Sequence, residues 1–176
     1  MLRPVTLVLG GASSGKSAFA ERLIEAGFGD RWESATYIAT ADAGDAEMID
    51  RVRQHQERRS ARWQTVEEPL ALAYAIRQHA AADRPILVDC LTLWITNVML
   101  AERDPDRETH HLVSALRDLP GPVVLVANEV GLGIVPDNAL ARAFRDHAGN
   151  LNQAIAETAN RVHFIAAGLP LTLKDD

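Results

Sequence analysis

Residues 5–26, VTLVLGGASSGKSAFAERLIEA, pass without a break from an apolar run through a glycine-rich turn into a helical pattern. Val5 to Leu9 is short, partly β-branched and closed by Gly10-Gly11, the marks of a buried strand. Ser17 to Ala26 reads as helix, with Ala18, Leu23 and Ile24 placed to pack and Gly27 as a stop. Between strand and helix, Gly10, Gly11, Ala12, Ser13, Ser14, Gly15, Lys16 and Ser17 match GxxxxGK[ST]. Glycines let backbone N–H groups curl around phosphate oxygens, and a helix N-terminus adds positive potential there. Lys16 is expected to reach the β- and γ-phosphates as a catalytic cation, and Ser17 to offer its hydroxyl to Mg²⁺. A strand-loop-helix carrying this motif predicts a site for a nucleoside triphosphate.

The same alternation continues outward. Further strands are expected at Ala35–Ala39, Thr65–Val66, Ile86–Val88, Val123–Ala127, Val162–Ala166 and Leu171–Leu173. Helices are expected at 45–61, from Pro69 to about Ala82, at 91–102 and 107–118, and from an Asp137 or Asn138 cap toward Asn160. Strands written as continuous apolar runs and separated by helices imply a mostly parallel sheet covered on both faces. The expected fold is therefore α/β, a P-loop NTPase-like three-layer arrangement of the RecA-like kind. One catalytic domain is expected to span residues 1–176, as the length allows.

Composition narrows the function. A formal net charge of −6 argues against a long nucleic-acid footprint, and no apolar stretch approaches a membrane span. The apolar run at the N-terminus is too short for a secretory signal, so the cytoplasm is the expected location. Cys90 is the single cysteine, which leaves no internal disulfide and no cysteine-based zinc site; it reads as a small buried apolar residue. Against sixteen arginines stand two lysines, Lys16 and Lys174, so a lysine kept inside the glycine motif points to chemistry rather than to bulk charge. His110-His111 reads as exposed helix surface, and Trp32, Trp63 and Trp94 as packing residues.

Two acids compete for the metal side of the nucleotide. Ile86-Leu87-Val88-Asp89 is an apolar strand ending in a carboxylate, and Asp89 is the better Mg²⁺ candidate. Glu129 stands two residues beyond the Val123–Ala127 strand. Three roles stay open for it: helping the metal, orienting the acceptor or acting as a base. A basic stretch, RVRQHQERR at 51–59, places Met48, Val52, His55 and Arg59 along one helical stripe. A neutral imidazole there is a competent nucleophile toward phosphorus. Spacing alone, however, favours a solvated arginine-rich helix with an incidental histidine.

Six stretches taken together resemble a known family. They are GGASSGKSAFAE, YIATA, DAEMIDRVRQHQERRSARWQTVEEP, LVDCLTLWITN, NEVGLGIVPDNALARAFRDHAGNLNQ and AGLPLTLK, running from Gly10 to Lys174. In that order they are similar to the bifunctional adenosylcobinamide kinase/adenosylcobinamide-phosphate guanylyltransferase family of cobalamin biosynthesis. The resemblance implies phosphorylation of adenosylcobinamide with ATP or GTP, then transfer of GMP from GTP to the new phosphate. It implies a guanylylated histidine at His55, and nucleotide contacts at Gly10 to Ser17, Thr40, Ala41, Asp42, Gln56, Glu57, Arg58, Arg59, Glu67 and Asp89. Adenosylcobinamide and its phosphate are the implied partners, in a homo-oligomer for which the resemblance offers a trimer as one arrangement. Three positions depart from the pattern: Ser13 stands where many relatives have Arg, Ser60 replaces a common proline, and Gln54 replaces an occasional second histidine. Two other readings are a small-metabolite P-loop kinase without the histidine relay and a GTP-binding switch. The switch lacks its Asn-Lys-x-Asp motif here.

Overall fold

The structure, a computed structural model, describes residues 2–28, 34–41 and 62–176. Seven strands form one sheet: β1 (Val5–Gly10), β2 (Ala35–Ala39), β3 (Trp63–Glu67), β4 (Ile86–Asp89), β5 (Val123–Asn128), β6 (Arg161–Ala166) and β7 (Leu169–Asp175). Their order is β3-β2-β4-β5-β1-β6-β7, with every neighbouring pair parallel except β6 and β7. Five helices are described: α1 (Lys16–Phe28), α2 (Leu72–His79), α3 (Leu91–Leu100), α4 (Pro105–Leu116) and α5 (Ala139–Thr158). The helix expected over 45–61, with His55, lies outside the described residues.

The continuous apolar strands are explained by burial on both faces. Leu87, Val124, Val126 and Val8 pack with Ala20 and Ile24 of α1 on one side. Their chain neighbours Ile86, Val88, Val123, Leu125 and Leu7 turn to the other side. There they meet Leu72 and Ile76 of α2, Trp94 and Ile95 of α3, Leu112 and Leu116 of α4, and Leu151 and Ile155 of α5. Each Val, Leu or Ile side chain so removed from water contributes roughly 1.5–3 kcal/mol before chain entropy is set against it. A central parallel sheet of this kind leaves no polar face, so polar chemistry is pushed to its ends.

Helix boundaries follow local capping. Asp104 accepts from the Asp106 and Arg107 amides and Pro105 sits in the first turn, so α4 starts at Pro105 rather than at the expected Arg107. Glu68 accepts from the Leu70 and Ala71 amides, which holds a turn there and delays α2 to Leu72 instead of Pro69. Of the two caps considered for α5, Asn138 is the one used, accepting from the Ala141 amide. The edge strand β7 is longer than the three residues expected. Ala167 (φ 51°) and Gly168 (φ 79°) form a two-residue turn in the left-handed region, the geometry of a tight hairpin. At the open end of that hairpin Arg161 makes a two-pronged ion pair with Asp175, which Arg3 joins.

Candidate active site

In a parallel sheet all strands point their carboxyl ends the same way, and the loops leaving those ends gather the functional groups. Gly10 ends β1 and is in register with Asn128, which ends β5; Ala39 ends β2 in register with Asp89, which ends β4. The glycine motif, Asp89, Asn128 and Thr40 therefore meet on one edge. A cavity of about 610 Å³ opens there, lined by residues 12–18, Asp89, Cys90, Val126 and Asn128.

The loop is shaped by backbone constraints. A Cβ on Gly10 would lie 2.5 Å from the Ile165 carbonyl oxygen and 2.7 Å from Ser14 Oγ, so only glycine fits. Gly15 has φ 95°, and its Cα side faces Gly168 closely enough that a Cβ would be 3.3 Å from Gly168 Cα. The hairpin turn supports the loop directly, because the Gly168 amide donates to the Ser14 carbonyl at 2.8 Å. Ser13 adopts φ 55° at the loop's exposed crest.

Lys16 opens α1 and is buried, its Nζ donating to the Gly11 carbonyl at 2.5 Å. Burial lowers its pKa from the usual lysine value, and the nearby Cys90 and Asp89 oppose that shift. An ammonium held this way, next to a carboxylate and a ring of amides, suits a polyanion that replaces the water it has lost. Asp89 accepts from the Tyr37 hydroxyl at 2.9 Å through Oδ2. Cys90 is buried, and its thiol is pushed up to about 11 by burial and then by Asp89, so it stays protonated and inert.

Glu129 separates from Asp89 in this geometry. Its amide donates to the Gly10 carbonyl, while its carboxylate turns back onto the Gly131 amide of its own loop. It does not line the cavity, and Asp89 does. Thr40 is fully buried and uses its hydroxyl twice, accepting from the Cys90 amide at 2.9 Å and donating to the Cys90 carbonyl at 2.7 Å. It therefore braces β2 to the start of α3 and is not among the lining residues; Ala41 follows it on the same edge. Glu67 is exposed at the end of β3, two strands from Asp89. Asp42, His55, Gln56, Glu57, Arg58 and Arg59 lie outside the described residues.

Sequence reading missed the groups that hold the acidic side in place. Tyr37 hides in an apolar strand, where a hydroxyl gives no periodic signal. Asn97 donates to the Thr40 carbonyl at 2.7 Å and the Pro69 carbonyl at 3.2 Å, and Thr92 Oγ1 accepts from the Asn128 amide at 2.7 Å. The one available clue was polar residues inside the otherwise apolar α3. His110 and His111 are exposed on α4, Trp94 is buried with its indole N–H on the Leu70 carbonyl, and Trp63 packs edge-on against Tyr37, as expected of each. Trp32 lies outside the described residues.

This site sits on a chain whose residues 6–173 match the family described as cobinamide kinase / cobinamide phosphate guanyltransferase. The chain belongs to that family. It is thus an enzyme of the kinase and guanylyltransferase type for which the family is named. A bifunctional adenosylcobalamin biosynthesis protein, CobP, from Pseudomonas aeruginosa is 53% identical over 97% of each chain. Proteins called CobU, with the same description, from Salmonella typhimurium and Escherichia coli are 42% and 39% identical, each covering 96% of this chain and 98% of the relative. Among solved structures, the flagellar accessory protein FlaH from Methanocaldococcus jannaschii superposes with a TM-score of 0.56 over all of this chain and 80% of that one. At 14% identity that likeness speaks to the fold, which is RecA-like, and to nothing finer. Among the described residues no helix is long and apolar enough to cross a membrane.

Proposed function

We propose that this protein phosphorylates the aminopropanol hydroxyl of adenosylcobinamide with ATP or GTP, then transfers GMP from GTP to the product through His55. The observation that carries the reading is the cavity joining the glycine loop, Lys16 and Asp89, on a chain of this family. Its volume suits a nucleoside triphosphate, and its two walls differ in charge, amides and an ammonium on one side and a carboxylate on the other. In the kinase step the loop amides and Lys16 hold the phosphates while the substrate hydroxyl attacks the γ-phosphorus and the nucleoside diphosphate leaves. In the second step His55 attacks the α-phosphorus of GTP, pyrophosphate leaves, and the cobinamide phosphate oxygen then displaces the imidazole to give adenosylcobinamide-GDP. Arg58 and Arg59, with Gln56 and Glu57 beside them, are the neighbours that would balance charge around that relay.

Mg²⁺ fits the residues present. Among the described residues no group of three or more His, Cys, Asp or Glu is placed to hold a metal alone. A magnesium ion at this site would take one or two protein oxygens and complete its shell with phosphate and water. Ser17 and Asp89 would supply those oxygens, and the ion would neutralise charge on the phosphates. The chain's own task is to aim Asp89, which Tyr37 does.

Intact mass after incubation with GTP and Mg²⁺, with His55→Asn in parallel, tests the relay. The expected result is an acid-labile GMP adduct on the parent protein and none on the variant, which retains kinase activity. A folded, GTP-binding parent that never carries GMP would leave a small-metabolite kinase without the relay.

A further inference from the structure

The nucleotide cavity, once filled by a triphosphate, has no room for a macrocycle, so a corrinoid acceptor must rest beside it. α5 shows where. It descends toward Asn160, whose amide donates to the Val5 carbonyl at the opposite end of the sheet. Asn152, well along the helix, donates to the Asn128 carbonyl at the carboxyl edge. The residues before it, from Asn138 onward, therefore overhang that edge by about 20 Å at 1.5 Å per residue. α3 lies over the same edge, since Asn97 reaches the end of β2.

Between the two helices is a groove of about 380 Å³, with Thr96, Met99 and Leu100 on one side and Asn138, Leu140 and Phe144 on the other. Its few polar atoms are already used within their own helices: Thr96 donates to the Thr92 carbonyl and Asn138 caps Ala141. Among the described residues no charged side chain lines it. The loop that runs from Asn128 in the nucleotide cavity to Asn138 in this groove carries Leu132, Ile134 and Val135, all exposed. Arg142 pins the end of that loop by donating to the Pro136 and Asp137 carbonyls.

We propose that this groove, on the nucleotide edge between α3 and the overhanging half of α5, receives the corrin ring of the acceptor. The inference rests on the corrinoid reading above. A corrin is a broad ring fringed by methyl groups and carboxamide arms, with no acidic or basic group on its fringe. The apolar wall matches the methyl groups of that fringe and leaves the carboxamide arms in water at the open rim, whereas an anionic ligand or a charged peptide would find no counter-charge among the described residues. The ring would sit on the overhang, and the aminopropanol arm would run along the 129–137 loop to the phosphates.

The test uses Leu140→Asp and Leu100→Asp, both at exposed positions where a carboxylate does not disturb the core, with Leu171→Asp on β7 as a control. Steady-state kinase rates are measured against adenosylcobinamide and against GTP, and mass is followed by light scattering. The expected result is a KM for adenosylcobinamide raised about tenfold or more in the two groove variants, equivalent to about 1.4 kcal/mol. KM for GTP stays unchanged, and the control stays unchanged for both substrates. Groove variants that match the parent in KM for adenosylcobinamide overturn the inference, as does a change of oligomeric mass with that KM intact. A parent enzyme that binds GTP but leaves adenosylcobinamide unphosphorylated defeats the proposed function itself, and the groove assignment with it.

Discussion

The two halves of the sheet's carboxyl edge hold opposite charges by opposite means. On the β1–β6–β7 side the work is done by the main chain: Gly10 packed against Ile165, Gly15 against Gly168, and the Ser14 carbonyl held by the Gly168 amide. On the β2–β4 side it is done by side chains: Tyr37 on Asp89, Thr40 clasping Cys90, and Asn97 on the Thr40 carbonyl. An anion is met by many N–H groups whose positions depend on φ and ψ. A carboxylate destined for a metal needs only one oxygen aimed correctly, and a few hydroxyls and amides suffice for that. The first half should thus be intolerant of an added methyl group, and the second of single lost atoms.

The largest effect is expected from Gly10→Ala, whose new Cβ meets main-chain oxygen that cannot yield cheaply. Titration calorimetry should show GTP binding weakened about a hundredfold or more, near 2.7 kcal/mol. Normal affinity would mean the loop side is softer than its contacts imply. Next comes Thr40→Val, which keeps shape but strips the buried Cys90 amide of its acceptor. Denaturant unfolding should show about 1–3 kcal/mol of lost stability, with Mg²⁺-free GTP binding unaltered, so that the two halves prove separable. The smallest is Tyr37→Phe. Losing one hydrogen bond of about 0.5–1.5 kcal/mol should raise the Mg²⁺ needed for half-maximal rate roughly three- to tenfold, at constant KM for the nucleotide once Mg²⁺ saturates. A shift in nucleotide affinity instead would tie Tyr37 to the anion side and dissolve the comparison.

That contrast also explains what could be read from the chain alone. The glycine loop was legible because its constraint is local: the residues that need special backbone geometry are adjacent, and the apolar runs flanking them declare a buried strand and a helix. The doubly covered sheet was legible for the same reason, its central strands announcing their burial in short unbroken apolar runs such as Ile86-Leu87-Val88. Asp89 could be proposed from its place after such a run. Tyr37, Thr92 and Asn97 could not, nor could the bracing role of Thr40, which family likeness offers as a nucleotide contact, because each acts on a partner far away in the chain, as Tyr37 does on Asp89 across 52 positions. The Ala167-Gly168 hairpin was missed because an alanine in the left-handed region is not a usual turn signal. His55 and the arginines around it were legible only through family likeness, since an arginine-rich helix carries the same pattern whether or not it is catalytic.

The nucleotide loop is the first motif the chain spells, yet its floor is Gly168, close to the other end, and the foot of β1 is likewise tied to Asn160, 155 positions away. Contacts of such separation are slow to close, because the entropy of the intervening chain is lost before any packing compensates. The loop is therefore expected to acquire its working shape only once the β6–β7 hairpin is in place. In the finished protein the same linkage runs in reverse: whatever grips the loop also slows the fraying of β6 and β7, and amide exchange at Gly168 becomes a distant gauge of what the loop is holding.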